Sequence, residues 1–137
     1  MGLKLIIEDE GKVILEIPLS PDDWHRRELM REVDQLRRDA RRNVKFYEAF
    51  TNANRVRMLH HLLERENHTL TFKEFMTDLD LNPKTIRENA VKLQNIGFIE
   101  SPGRGEYRLS KRGQLCFMMT VIAMRRMLQT IREEYSE

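Results

Sequence analysis

The stretch Asp80-Leu81-Asn82-Pro83-Lys84-Thr85-Ile86-Arg87-Glu88-Asn89-Ala90-Val91-Lys92-Leu93-Gln94-Asn95-Ile96-Gly97 carries a helix together with its start and stop signals. Asn82 suits the N-cap, where a short side-chain oxygen accepts from the amides of the first turn. Pro83 follows at the first helical position, where its missing N–H costs little. Ile86, Ala90, Leu93 and Ile96 recur at helical spacing and turn inward. Gly97 ends the helix, as a residue in the left-handed region often does. The outer face shows Pro83, Lys84, Arg87, Glu88, Val91 and Asn95.

Working outward, Thr71 caps a shorter helix, Phe72 to Leu79, with Phe75, Met76 and Leu79 inward. The link between the two helices, Asp80 to Asn82, is a tight turn pivoting on Leu81. Further upstream, Asn52 or Asn54 caps a helix that buries Val56, Met58, Leu59, Leu62 and Leu63. Before it, Val44, Phe46, Tyr47, Ala49 and Phe50 indicate a short buried helix. Downstream lie two short strands, Phe98-Ile99-Glu100 and Glu106-Tyr107-Arg108-Leu109. Ser101-Pro102-Gly103-Arg104-Gly105 joins them with turn chemistry throughout. A tri-helical core, two helices across a tight turn and a β-hairpin make a winged helix-turn-helix.

In that architecture the polar-faced helix is the one that meets base edges. Lys84, Thr85 and Arg87 lie in its first turns. Arginine and lysine reach guanine acceptors, and Glu88 can accept from a cytosine amino group. Asn89, lateral on the helical wheel, is a candidate partner for adenine. At the wing tip Arg104 stands between two glycines, which allow close backbone approach while the arginine enters a minor groove or binds phosphate.

The run from Asn82 to Ile99, Asn-Pro-Lys-Thr-Ile-Arg-Glu-Asn-Ala-Val-Lys-Leu-Gln-Asn-Ile-Gly-Phe-Ile, resembles the recognition helix and first wing strand of ArsR-type winged-helix transcription regulators, in their archaeal form especially. Phe50-Thr51-Asn52-Ala53-Asn54-Arg55-Val56-Arg57-Met58-Leu59 resembles the family's opening. Tyr107-Arg108-Leu109-Ser110-Lys111-Arg112-Gly113 resembles the end of its wing. Together these cover roughly residues 43–135. The resemblance implies a homodimer on a pseudo-palindromic site in double-stranded DNA, with base contacts at Lys84, Arg87 and Glu88, a phosphate contact at Thr85 and a wing contact at Arg104. Glu88 departs from the pattern, since a basic or neutral polar residue is commoner there. The metal-sensing cysteine motif is also missing: the helix that would carry it reads Phe72-Lys73-Glu74-Phe75-Met76-Thr77-Asp78. Sensing of soft metals through that site is not expected.

Two segments flank this domain. Leu5 and Ile7 before Asp9-Glu10-Gly11, and Val13, Leu15 and Ile17 after it, alternate as a β-hairpin, with Ile6 and Ile14 on the opposite face. Pro18 and Pro21 stop the strand. A helix then begins near Pro21-Asp22-Asp23, capped by Ser20 or Asp22, with Leu29, Val33, Leu36 and Ala40 as a narrow apolar stripe. Seven arginines and six acids alternate around its other faces, the pattern of a solvated helix laced by i,i+4 pairs. Trp24 is placed to staple this helix to the hairpin. At the other end Ser110 caps a long helix on which Phe117, Val121, Met124, Leu128, Ile131 and Tyr135 recur at alternating spacings of four and three, widened by Leu115, Met118 and Ile122. So apolar a surface is not expected to be left in water on a small protein, and the resemblance implies that the terminal helices pair there as the dimer interface.

Composition sets the bounds. The 137 residues are 40% hydrophobic and 34% charged, enough apolar content for a core under a charged surface. The net charge is only +2, but residues 43–113 hold 12 basic and 9 acidic side chains, while residues 1–20 are net acidic. No apolar run approaches a membrane span, and the start lacks a signal-peptide pattern. One cysteine, Cys116, excludes a disulfide framework and a cysteine-rich zinc site. His25, His60, His61 and His68 are expected as surface or packing residues, and the methionines as interface filler. No phosphate loop, nucleophile motif or paired-carboxylate signature is present, so neither catalysis nor a cofactor or metal is expected. The expected fold is mainly α with small β: an N-terminal β-hairpin plus helix (residues 1–42, extending the dimer or docking a protein partner), a winged helix-turn-helix (43–113) and a C-terminal dimerisation helix (114–137). The expected function is a cytoplasmic, sequence-specific transcription regulator. The alternatives are a winged-helix protein-interaction module in a larger assembly and a sequence-neutral chromatin protein.

Overall fold

A computed structural model describes residues 2–136. The chain packs as two units that divide between Asn43 and Val44.

The first unit opens with β1 (Lys4–Asp9) and β2 (Lys12–Pro18), an antiparallel pair turning at Glu10 and Gly11, both at positive φ. The expected face holds for Leu5 opposite Ile17 and Ile7 opposite Leu15. A bulge then shifts the register between Ile7 and Glu8, so Val13 stands opposite Glu8 instead of continuing the Leu15 and Ile17 face. The next helix starts later than its acidic pair suggests. Pro21–Asp23 forms only a 3-10 turn, and Ser20 makes no side-chain cap bond. The Trp24 indole N–H donates to the Pro18 carbonyl at 2.9 Å, which pins Trp24 beside the hairpin's end in an extended conformation. Helix α1 (Arg26–Arg38) follows. Asp39 interrupts it for one residue, although helical hydrogen bonds from Asp39 to Gln35 and from Asn43 to Asp39 run on into α2 (Ala40–Thr51). The i,i+4 ion pairs expected on α1 do not form: among the described residues none of its side chains closes an ion pair.

The second unit holds the core. Asn52 caps α3 (Ala53–Glu64), accepting from the amides of Asn54 and Arg55. A three-residue strand with no signature of its own in the sequence, β3 (Thr69–Thr71), leads into α4 (Phe72–Leu79). Thr71 and Glu74 cap α4 reciprocally, each side chain bonding the other's backbone amide. Asp80 then adopts the left-handed region, and Asn82 caps α5 (Pro83–Asn95) by accepting from Thr85 N–H at 2.8 Å. The chain returns through β4 (Ile99–Glu100) and β5 (Glu106–Leu109), and β5 pairs with both neighbours in the order β3-β5-β4. Met58, Leu59, Leu62, Leu70, Phe75, Ile86, Leu93, Phe98 and Leu109 are fully buried together. Phe46 and Phe50 of α2 pack their rings on Phe98. The fold is mainly α with small β.

Ser110 caps α6 (Lys111–Phe117), which continues through a π-helical segment, Met118–Ala123, into α7 (Met124–Tyr135), a helical run of 25 residues. The wide turns coincide with the Thr120 hydroxyl donating to the Cys116 carbonyl inside the backbone ladder. They also rotate the later residues relative to the earlier ones. Two members of the expected dimer stripe pack within the protomer. Phe117 is 2% exposed in the core, and Val121 packs half-buried against it. Met124, Leu128, Ile131 and Tyr135 remain exposed, with Leu115, Met118 and Met119. Among the described residues no helix is long and apolar enough to cross a membrane.

Candidate nucleic-acid interface

Helix α5 is held against α3 and α4 by Ile86, Ala90 and Leu93, which leaves its opposite face in solvent. Lys84, Arg87 and Glu88 are exposed on that face, with Val91 and Lys92. Thr85 is half-buried near the helix start, where the amides of the first turn point outward. Lys84 Nζ lies 3.9 Å from Glu88 Oε1, so the acid partly offsets the charge of its neighbour.

The Arg87 guanidinium sits over the Phe72 ring, 5.7 Å from its centroid. This contact restricts a long side chain at a small cost and leaves the guanidinium fork free to donate outward. Phe72 has a second role. Its backbone N–H, one of the four unpaired amides at the start of α4, donates to Gly105 O at 2.8 Å. One residue thus carries Arg87 on its ring and holds the wing tip by its amide. Arg104 is exposed at that tip. The Ser101 hydroxyl donates to the carbonyls of Gly103 and Glu106 and stiffens the loop, and Gly105 takes φ +72°. In the sequence Phe72 stands out only as the first residue of a helix. The visible signal was the Thr71-x-x-Glu74 capping box, which places the aromatic at a rigid first position.

Asn89 does not belong to this surface. It is 7% exposed and faces the protein interior. Its amide nitrogen donates to Thr85 O at 2.8 Å, and its oxygen accepts from Arg55 Nη1 at 3.0 Å. Arg55, also 7% exposed, directs Nε and Nη2 to the Glu48 carbonyl near the end of α2, at 3.1 and 2.7 Å. A buried guanidinium without a carboxylate is tolerable here because the negative end of the α2 dipole faces it. The result is a polar bolt from α2 through α3 to α5, and it sets where α5 lies.

A second polar cluster ties α3 to α4. His61 Nε2 meets Asp78 at 2.9 Å, and Arg65 Nη2 reaches Glu74 at 2.5 Å and Asp78 at 3.2 Å. The hydrogen bond to His61 holds Asp78 below its ordinary 3.8, and the Thr71 N–H holds Glu74 below its ordinary 4.5. A carboxylate with a depressed folded-state pKa adds stability that is complete above its ordinary value and is lost as pH falls through the folded value. The melting temperature is therefore expected to drop as pH falls below about 4.5, and Asp78→Asn should flatten that slope. Parallel slopes in calorimetric melts of the two proteins would sink this assignment.

Helix-turn-helix, exposed polar helix and tethered wing define a winged helix-turn-helix protein. The chain matches no protein-family profile, and no curated protein matches it in sequence. Among solved structures it is similar to a MarR family transcriptional regulator from Streptomyces coelicolor, at 13% identity and a TM-score of 0.47, over 80% of this chain and 99% of that one. It is also similar to an ArsR family transcriptional regulator at 16% identity and a TM-score of 0.47, over 71% of this chain and 96% of that one.

Proposed function

We propose that this protein is a sequence-specific DNA-binding transcription regulator that acts as a homodimer on a pseudo-palindromic site. The observation that carries the reading is Phe72, which braces Arg87 with its ring and the wing tip with its amide. Positioning a guanidinium and a basic wing against one another suits a duplex, where a major-groove base edge and the flanking backbone are met together. Lys84 and Arg87 donate to guanine, Thr85 approaches phosphate, and Arg104 takes the groove or backbone beside the wing. Glu88 selects a base with an amino donor and lowers non-specific affinity by drawing on Lys84.

The dimer contact is assigned to Met124, Leu128, Ile131 and Tyr135, whose exposure on α7 leaves a long apolar stripe in water. Pairing these helices about a two-fold axis sets two reading helices on successive major grooves, about 34 Å apart. No catalytic role is assigned to any residue, and a reducing cytoplasm suits the lone cysteine.

Selection from a random duplex pool at two salt concentrations tests the reading. An inverted repeat should be enriched, with affinity falling as salt rises. On that site Arg87→Ala should weaken binding about 10- to 100-fold, the loss of one bidentate contact. Salt-sensitive binding without enrichment would replace the reading by a sequence-neutral chromatin protein. Absence of binding at low salt would replace it by a protein-interaction module.

A further inference from the structure

Residues 2–43 bury no side chain: every one of them is at least partly open to solvent. The exposed apolar groups include Met30, Val33 and Leu36 on α1, with Leu36 60% exposed. Leu29, Val33, Leu36 and Ala40 continue at spacings of four, three and four, the repeat of a seam between two helices. Such a stripe is covered in the working protein, and the charges beside it identify what covers it.

Glu32 and Arg37 flank the seam on opposite sides, and neither forms an ion pair among the described residues. In a parallel, in-register pair of α1 helices, Glu32 faces Arg37 of the second copy, five residues on, and the symmetry of the pair makes the contact twice. In an antiparallel pair, Glu32 faces Asp39 of the second copy, a like-charge contact also made twice. From this complementarity we infer that α1 pairs with α1 of a second copy of this chain, parallel and in register. The surface is self-complementary, as a two-fold interface requires.

Two heptads are too short to associate strongly alone. The inference therefore rests on the homodimer proposed above, in which pairing elsewhere raises the local concentration of one α1 for the other. The consequence is a dimer clamped at two places, with the N-terminal seam adding to its lifetime.

The test uses the full chain with Cys116→Ala and a single new cysteine. In a parallel in-register pair each seam residue faces its own copy, so Leu29→Cys should form an intermolecular disulfide in a glutathione redox buffer. Arg31→Cys, on the outer face of the same helix, should remain uncrosslinked. Sedimentation of the reduced proteins gives the oligomeric state independently. A reduced dimer whose Leu29→Cys form crosslinks while Arg31→Cys does not supports the inference. A reduced dimer in which Leu29→Cys fails to crosslink, or crosslinks no better than Arg31→Cys, overturns the α1 pairing and leaves the homodimer standing. A reduced monomer overturns both.

Discussion

Gly113→Ala is expected to destabilise the second unit by about 3 kcal/mol, the upper part of the usual overpacking range. The sign is what makes the measurement informative. Gly113 lies within α6, and at an ordinary helical site alanine would add about 1 kcal/mol by restricting the unfolded chain. Here a Cβ would be driven into the Phe98 carbonyl oxygen and would stand 2.9 Å from Leu109 Cδ1. The obstacle is backbone and cannot swing aside. Phe98 O accepts from the Ser110 amide at 2.9 Å and lies 3.0 Å from the Ser110 hydroxyl, whose oxygen caps α6, so moving it disturbs the entry to α6 or the start of the wing. Urea denaturation monitored by circular dichroism measures the difference. A variant as stable as the parent would show that the junction yields and that the close approach is not required.

Arg55→Met is the second large effect, about 3 kcal/mol of lost stability. Methionine fills much of the space but donates nothing. The Glu48 carbonyl and the Asn89 amide oxygen would then be left without the partners they have at 2.7 and 3.0 Å. Arg55→Lys should recover only a small part, because one ammonium cannot span two acceptors that a planar fork reaches together. Since Asn89 shares the network, the losses of Arg55→Met and Asn89→Ala should be less than additive. Fully additive losses in a double-mutant cycle would show that the two residues act separately. On the proposed reading as a DNA-binding regulator, Asn89→Ala should also leave the selected sequence unchanged, since its amide is buried and turned inward.

Asn89 marks where local pattern stops being informative. Its position on the α5 wheel is lateral, and from α5 alone it can face a base or the protein. The decision belongs to Arg55, 34 residues earlier, whose guanidinium draws the amide inward. Arg55 itself was legible as part of the family-like opening, but its burial was not, because an arginine on an exposed-looking helix face is ordinarily solvated. The C-terminal helix teaches the same lesson. Its apolar repeat is a single stripe in the sequence, yet in the structure Phe117 joins the core while Met124, Leu128, Ile131 and Tyr135 stay open.

The sequence by itself determined the elements that depend on near neighbours. Thr71, Asn82 and Ser110 mark the helix starts because each cap bond closes within three residues, and Gly97 and the Ser101–Gly105 turn mark stops for equally local reasons; for α3 the sequence leaves Asn52 or Asn54, and the structure selects Asn52. The inward residues of α3, α4 and α5 followed from periodicity, since burial of apolar surface dominates the choice of face. Only the tertiary structure decided the rest: the strand β3, which exists because β5 offers it a partner; the bulge that moves Val13; the burial of Asn89; and the joining of Arg87 and the wing through Phe72. Each of these rests on hydrogen bonds or ring contacts between segments far apart in the chain. Their geometry is set by how the helices pack, and no short window of sequence contains it.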